Sequence, residues 1–194
     1  NIDFFDNTQL FLIMTRFRKL SMDELDRISV NTFRELEKRP MIIVLDNIRS
    51  AHNVGSFFRT ADAFRIQKIY LCGITSYPPN KEIQKTALGA TESVEWEYVS
   101  DTYDTVKKLK AQNFTIIAVE QAEQSIKLNE YNISTKNQTF VLIFGNEVNG
   151  IDDKTMELCD HCIEIPQWGT KHSLNVAVSG GVVLWEFAKQ MNLP

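Results

Sequence analysis

Hydrophobic positions from Met41 onward fall in short, mainly apolar runs that alternate with stretches of helical spacing. The apolar runs are MIIVLD, KIYLCG, VEWEYV, FTIIAV, TFVLIF and HCIEI. Short apolar runs of this kind are typical of strands buried on both faces. Helical stretches between them, such as DTYDTVKKLKAQ, predict crossover connections. The pattern therefore predicts an α/β fold, with a mostly parallel sheet and helices on both faces.

Residues 1–39 lack this alternation and predict a helical N-terminal extension to a domain at 40–194. Ser21 and Glu24 match the capping box that begins many helices. Pro40 would end the helix, after a rough apolar stripe formed by Leu25, Ile28, Phe33 and Leu36. A basic cluster before the helix either contacts RNA or stays solvated, and it consists of Arg16, Arg18 and Lys19.

Composition narrows the class of protein without naming a partner. The 194 residues, 43% hydrophobic and 24% charged, suit one globular domain. A net charge of -4 does not by itself indicate nucleic-acid binding, because the local field decides a contact. No segment resembles a signal peptide, and no apolar stretch reaches the roughly 20 residues of a membrane span. We therefore expect a cytoplasmic protein that does not enter a membrane.

The three cysteines do not suggest the disulfide framework of a secreted protein. Cys159 and Cys162 flank His161, but a zinc site would need further ligands and only His172 is nearby. We therefore expect no metal, and interpret the cysteines as small apolar residues near a helix end and in a strand.

Ligands of open parallel sheets bind beyond the carboxyl ends of the strands, so the segments that follow strands are the candidate sites. After the predicted strand Met41–Leu45, Asn53 lies where a helix should begin and is expected to cap it. Arg59 follows nearly two turns later and could reach back toward the strand end. The alternative is a plain cap and a surface arginine paired with Asp62.

Two later segments follow predicted strands in the same way. GNEVNGI places Glu147 in a glycine-flanked turn after the strand Thr139–Phe144, and the alternative is an exposed turn. QWGTKH follows the strand Cys162–Ile165 and leads to Ser173, the expected cap of the last helix, with Asn175 in its first turn.

Several common enzyme classes lose support because their motifs are missing. The chain contains no G-x-G-x-x-G after its first strand, no phosphate-binding G-x-x-x-x-G-K-[ST] and no G-x-S-x-G. Ordinary dinucleotide-binding proteins, P-loop nucleotidases and α/β hydrolases are therefore disfavoured.

Taken together, the three segments resemble the motifs of the SpoU/TrmH family of RNA 2′-O-ribose methyltransferases, in the SPOUT superfamily. HNVGSFFRTADAF resembles the first motif, IFGNEVNGI the second and IPQWGTKHSLNVAVSGGVVLWEF the third. KTALGATESV is similar to a stretch between them. The resemblance covers roughly residues 41–190.

This resemblance implies methyl transfer from S-adenosylmethionine to a ribose 2′-OH of structured RNA, either tRNA or rRNA. It also implies a deep trefoil knot in the C-terminal part, which the rules of chain connection alone would reject. The cofactor would lie in the knot loops, and the matching positions are Gly145, Asn146, Gly150, Ile165, Gly169 and Leu174.

The resemblance also assigns roles to five candidate residues. Arg59 matches the family's catalytic arginine, and we expect it to stabilise the forming oxyanion because arginine is a poor base. Asn53 is expected to position Arg59 or the ribose, and Glu147 to hold the group by charge-assisted hydrogen bonds. Ser173 and Asn175 would orient the same site.

The last helix is apolar on nearly every side, which suits packing on its own sheet and on a second subunit. The resemblance accordingly implies a homodimer through this C-terminal helix. Gly180 and Gly181 each cost about 1 kcal/mol in a helix interior, which close backbone approach would offset. The alternative is the central helix of a monomeric core.

Two other functions remain open at this point. The chain could methylate a base nitrogen, or it could bind RNA as a catalytically idle protein on the same fold. The choice between tRNA and rRNA is also open, because the short N-terminal extension favours tRNA whereas HNVG favours rRNA.

Overall fold

The protein is described by a computed structural model that covers residues 17–21, 23–25, 28–133, 138–171 and 173–191. Within these residues, seven strands form one sheet in the order β3-β2-β1-β6-β4-β7-β5, and each neighbouring pair is parallel. The strands are β1 Arg39–Asp46, β2 Ile66–Cys72, β3 Trp96–Val99, β4 Thr115–Val119, β5 Ile126–Lys127, β6 Phe140–Phe144 and β7 His161–Glu164. The predicted parallel sheet is therefore confirmed.

Seven α-helices accompany the sheet, and a short 3-10 helix at Asp23–Leu25 precedes them within the described residues. The helices are α1 Val30–Glu35, α2 Ala51–Ala63, α3 Lys81–Ala87, α4 Ala90–Ser93, α5 Thr102–Ala111, α6 Asp153–Met156 and α7 Val176–Gln190. Five of them, α2, α3, α5, α6 and α7, are the first helix after a strand, as expected for crossover connections.

Alternate residues of the central strand β1 enter two separate apolar clusters, one on each face of the sheet. Ile43 and Leu45 pack with side chains of α2 and α7, whereas Ile42 and Val44 pack with side chains of α5. This alternation follows from the two-residue period of a strand. The sheet is therefore buried on both faces, as its unbroken apolar runs predict.

The N-terminal extension differs from the prediction of one helix ended by Pro40. Glu24 Oε2 accepts a hydrogen bond from Ser21 N at 2.7 Å, as in half of a capping box, but the turn there is 3-10. A separate helix, α1, begins after Ser29, whose side chain accepts from Thr32 N. Pro40 lies inside β1, near its beginning, where a missing N–H is tolerated. Residues 1–16, including Arg16, lie outside the described residues.

Two predicted helix caps are wrong by a few residues. Ser50 caps α2, and Asn53 instead donates its backbone N–H to Ser50 Oγ at 3.3 Å. Asn175 caps α7 through its side-chain oxygen, in place of Ser173. Serine and asparagine are almost equally good caps, so residue type alone could not decide between neighbours.

No helix in the described part of the chain is long and apolar enough to cross a membrane.

The strand order places β7 beside β4, although β6 and α6 separate them in sequence. The trefoil knot implied by the family resemblance stays a prediction for this chain.

Candidate functional site

A cavity of about 540 Å³ opens at the carboxyl ends of β4, β6 and β7. This volume lies within the range of small-molecule and cofactor sites. Most of its lining comes from loops that begin where these strands end, and includes Glu120, Gly145, Glu147, Gly150, Ile165, Leu174 and Asn175. The cavity therefore lies at the edge of the sheet where the sequence predicts a ligand.

Side chains from all three predicted segments join in one hydrogen-bonded network beside the cavity. Asn53 Nδ2 of α2 donates to Glu147 Oε1 at 3.1 Å. Asn175 Nδ2, at the start of α7, donates to Asn53 Oδ1 at 3.2 Å. Glu147 Oε2 also accepts from the backbone N–H of Arg49 at 3.3 Å. These two side-chain hydrogen bonds thus join pairs of residues that lie 94 and 122 positions apart in the sequence.

The turn that carries Glu147 is closed by its own backbone. Asn146 and Gly150 exchange both backbone hydrogen bonds, at 3.1 and 2.9 Å. Asn146 Oδ1 accepts from the backbone N–H groups of Val148 and Asn149, which keeps the turn tight. A Cβ on Gly145 would lie against the backbone of Gly150, so only glycine fits at this position.

The loop after β1 ties this turn to the sheet. Asn47 adopts a positive φ of 56°, a conformation that asparagine tolerates better than most residues. Its carbonyl accepts from Asn146 Nδ2 at 2.8 Å, and its side-chain oxygen accepts from Ile74 N at 3.1 Å. The turn with Glu147 is therefore fixed to β1 as well as to β6.

A buried carboxylate lies just beneath this loop. Asp46 ends β1, and its Oδ1 accepts from Thr102 Oγ1 at 2.5 Å and from Asn47 Nδ2 at 2.8 Å. Burial raises the pKa of Asp46 above its usual value, and the two hydrogen bonds oppose that shift. Asp46 thus holds the loop from inside the protein, away from the cavity.

The beginning of α7 contributes the third wall of the cavity. Ser173, Leu174 and Asn175 line it, together with Ile165 at the end of β7. Asn175 Oδ1 accepts from the backbone N–H groups of Ala177 and Val178 at 2.9 and 3.3 Å. The same side chain therefore caps the helix and bonds to Asn53.

Two predicted site residues lie apart from the cavity. Arg59 is exposed on α2, with no hydrogen bond or ion pair to another described residue. The alternative pairing with Asp62 is not found, since Asp62 Oδ2 accepts from Ser93 Oγ at 2.8 Å. Gly169 is exposed beside Trp168, whose side chain is 92% exposed, and neither residue lines the cavity.

The predicted set misses several residues that line the cavity. Glu120 and Gln121 follow β4, and Ser179 lies one turn into α7. The strand FTIIAV marks the position of Glu120, because the residue after a buried parallel strand lies at the ligand-binding edge. None of the three motif segments contains Glu120 or Gln121.

The cysteine pair is engaged with backbone oxygens. Cys159 Sγ lies 3.5 Å from Thr155 O, and Cys162 Sγ lies 3.4 Å from Glu120 O. Burial raises the pKa of both thiols, that of Cys159 to about 12. The described residues contain no cluster of metal-ligating side chains, and His172 lies outside them.

Comparison with protein families identifies one match over most of the chain. Residues 40–185 match the model of the SpoU rRNA Methylase family. The chain is 32% identical to the 23S rRNA (guanosine-2′-O-)-methyltransferase RlmB of Neisseria meningitidis serogroup B, covering 82% of this chain and 62% of that protein. It is 31% identical to the tRNA (guanosine(18)-2′-O)-methyltransferase of Aquifex aeolicus, covering 80% and 72%. The chain thus spans less than two thirds of the length of the first of these relatives.

Two solved structures share the fold. The A. aeolicus TrmH/SpoU tRNA modifying enzyme has a TM-score of 0.73 and 29% identity, covering 83% of this chain and 81% of that one. An AdoMet-bound rRNA methyltransferase from Sinorhizobium meliloti has a TM-score of 0.74 and 26% identity, covering 84% and 61%. These two similarities extend over most of the sheet and helices described above.

Proposed function

Because the chain belongs to the SpoU rRNA methylase family, we propose that it transfers a methyl group from S-adenosylmethionine to a ribose 2′-OH of RNA. The observation that supports this most is the network of Asn53, Glu147 and Asn175 beside a cavity of cofactor size. The three side chains come from three separate motif segments. Relatives at 31% and 32% identity are named as RNA 2′-O-methyltransferases.

The described residues fit S-adenosylmethionine as the methyl donor. Gly145 and Gly150 line the cavity without a side chain, and Ile165 and Leu174 line it with apolar side chains. Asn146 shapes the turn between them through its own hydrogen bonds. We propose that these five positions hold the nucleoside part of the donor; Gly169 would contribute only by movement of its exposed loop.

The proposed reaction is a displacement at the methyl carbon. The ribose oxygen forms a bond to that carbon as the carbon–sulfur bond breaks, and the hydroxyl proton leaves to solvent or to an RNA phosphate. Arg59 has no partner among the described residues, so its guanidinium is available to stabilise the charge that develops on the ribose oxygen. Asn53, Glu147, Asn175 and Ser173 would position the ribose beside the donor.

An Arg59→Ala variant tests the proposed reaction. We expect S-adenosylmethionine binding to persist, while the methylation rate of RNA falls at least about 100-fold, the usual effect of losing one transition-state donor. Calorimetry measures the first quantity and transfer of labelled methyl the second. Lys108→Ala is the matched control, because Lys108 is also exposed but lies on α5, on the other face of the sheet. Near-normal methylation by Arg59→Ala would contradict the role of Arg59.

The same calorimetry separates an enzyme from a catalytically idle RNA-binding protein. Binding of S-adenosylmethionine to the wild-type chain supports the enzyme, and no detectable binding contradicts it. Methylation at a base nitrogen would be identified by nuclease digestion of the product and analysis of its nucleosides.

The RNA substrate is proposed as tRNA or rRNA, in the cytoplasm. The relatives named above act on 23S rRNA and on guanosine 18 of tRNA, so similarity alone does not choose between them. Mapping ribose methylation in cells with and without the gene would identify the RNA and the nucleotide. A complete absence of changed 2′-O-methyl sites would contradict the proposed activity.

We also propose that the chain forms a homodimer through α7. One side of this helix is buried against its own domain, yet Val178, Val182 and Trp185 on the other side are 53%, 40% and 59% exposed. Apolar side chains grouped in this way are typical of an interface. Light scattering at low micromolar concentration should give twice the chain mass of 22.3 kDa, and a clean species of 22.3 kDa would contradict the dimer.

A further inference from the structure

We propose that Glu120 binds the 2′,3′-diol of the nucleoside ribose in the methyl donor. This inference rests on the proposed function, because it concerns the same cavity and the same cofactor. Glu120 lines the cavity but lies outside the three motif segments. Its position, the unused hydrogen-bonding capacity of its carboxylate and the charge around it all support a role in binding.

The backbone of Glu120 is fixed by the neighbouring strand. Its N–H donates to the carbonyl of Ile163 at 3.0 Å. Its own carbonyl lies 3.4 Å from Cys162 Sγ. Because β7 holds both backbone groups, the side chain starts from a rigid point at the end of β4, as a binding residue requires.

The carboxylate of Glu120 keeps most of its hydrogen-bonding capacity unused. Oε1 accepts one bond, from Gln121 N at 3.1 Å. Oε2 lies against Gly150, and a Cβ at that position would collide with it. No ion pair joins Glu120 to another described residue. An ionised carboxylate has about four lone-pair sites, so several remain for donors in the cavity.

Glu147 follows β6, and its side chain bonds away from Glu120. Its partners Arg49 and Asn53 follow β1, whereas Glu120 follows β4, and the sheet order is β1-β6-β4. Two strand spacings, about 10 Å, therefore separate Glu120 from the residues to which Glu147 bonds. The reacting methyl has to lie near the network of Glu147, so Glu120 contacts a more distant part of the donor.

Charge excludes one part of the donor from the surroundings of Glu120. Glu164 lines the same side of the cavity, and the described lining residues include no lysine or arginine. Two carboxylates would repel the carboxylate of the methionine moiety. A ribose diol is neutral and has two O–H donors, so it can bond to Glu120 without this repulsion.

A cycle of protein variants and ligand analogues tests this pairing. The ligands are S-adenosylhomocysteine and its 2′-deoxy and 3′-deoxy analogues, and the proteins are wild type, Glu120→Gln and Glu120→Ala. With wild type, we expect loss of a hydroxyl to raise Kd about tenfold or more, as for other charge-assisted hydrogen bonds. With Glu120→Ala, S-adenosylhomocysteine should bind at least about tenfold more weakly, and the deoxy analogues no worse than it.

Other outcomes overturn the inference in distinguishable ways. An equal penalty for the missing hydroxyl in wild type and Glu120→Ala would mean that another group binds the diol. If Glu120→Ala weakened S-adenosylhomocysteine binding while wild type bound the deoxy analogues as tightly as S-adenosylhomocysteine, Glu120 would bind another part of the donor, such as its ammonium group. If wild type bound no S-adenosylhomocysteine at all, the proposed function itself would fail.

Glu123→Gln is the matched control for these measurements. Glu123 lies in the same segment and is exposed, but it does not line this cavity. Its variant should keep wild-type Kd values for all three ligands. The Glu120→Gln variant keeps the size of the side chain, so an unchanged unfolding midpoint in that variant separates lost binding from misfolding.

Discussion

The beginning of α7 and its outer side differ in how far contacts within one chain satisfy their side chains. At the beginning, Asn175 joins Asn53 and Glu147, and each side-chain nitrogen and oxygen atom of this network bonds to at least one partner in the same chain. Along the outer side of α7, Val178 and Trp185 are apolar and largely exposed. The polar network is thus satisfied by hydrogen bonds within one chain, whereas the apolar outer side of α7 is left largely uncovered by its own chain.

The adjacent glycines of α7 show the same contrast over a single residue. A Cβ on Gly180 would collide with the ring of Phe57, itself packed on Phe144 at 4.9 Å between centroids. A Cβ on Gly181 would have no described atom within 4 Å. The inner side of the helix is thus filled by its own domain, and only the outer side has room for a second subunit.

The largest expected effect comes from breaking the polar network. Glu147→Ala removes the acceptor of Asn53 Nδ2 and of Arg49 N, so the geometry that we propose for binding the ribose is lost. We expect the turnover number to fall about 100-fold with a smaller change in the Kd for S-adenosylmethionine. Steady-state methylation assays and calorimetry give the two values. Glu157→Ala, at an exposed glutamate beyond α6, should leave both unchanged.

A charge on the outer face tests whether that face is completed by a partner. Val182→Asp would place an unpaired carboxylate in the proposed interface, and we expect the dimer Kd to rise at least about 30-fold. Sedimentation over a concentration series measures this. Ile74→Asp places the same charge at another exposed apolar position, 63% exposed and away from α7, and should leave the assembly intact. Equal behaviour of the two variants would contradict the interface.

Substitutions at the two glycines should have a smaller effect than the changes above. Gly180→Ala should lower the free energy of unfolding by about 1–2 kcal/mol, because overpacking against Phe57 exceeds the gain in helix propensity. Gly181→Ala should raise the stability of the monomer by up to about 1 kcal/mol and weaken the dimer, if the partner approaches closely there. Urea unfolding of each variant over a range of concentrations separates the two effects.

The smallest effect concerns the buried carboxylate beneath the network. Because burial raises the pKa of Asp46, its contribution to stability is present below the ordinary carboxyl pKa and is lost as pH rises through the raised value. Asp46→Asn removes this dependence, although it also changes the hydrogen bond from Thr102. Relative to wild type, the variant should therefore gain stability as the pH rises above the ordinary carboxyl pKa of about 4 and through the raised pKa of Asp46. A difference that stays constant or moves the other way would contradict this assignment.

The sequence predicts which segments form strands better than it predicts which strands lie next to each other in the sheet. Unbroken runs such as TFVLIF indicate buried strands because two-sided burial excludes polar residues. They contain no information about lateral order, so the placement of β6 between β1 and β4 had to come from the structure. The two-residue strand β5 at Ile126–Lys127 is too short to leave a pattern.

The site is predictable where a motif marks it and unpredictable where only geometry does. Asn53, Glu147 and Asn175 lie in quoted motif segments, and the structure brings them together. Glu120 lies in the polar stretch EQAEQS, where only its position directly after the strand FTIIAV distinguishes it from Glu123. The role of Arg59 stays a prediction, because its exposed side chain has no hydrogen bond or ion pair to another described residue.

The groups at the two ends of the network determine which atom donates and which accepts in each hydrogen bond between its side chains. Backbone N–H groups of α7 occupy the oxygen of the Asn175 amide, so its nitrogen must face Asn53. At the other end, ionised Glu147 can only accept, so Asn53 must turn its own nitrogen there. Asn53 therefore has one unused N–H and an already occupied oxygen. Asn53 can therefore donate a hydrogen bond to the oxygen of an incoming hydroxyl, but its oxygen is poorly placed to accept that hydroxyl's proton.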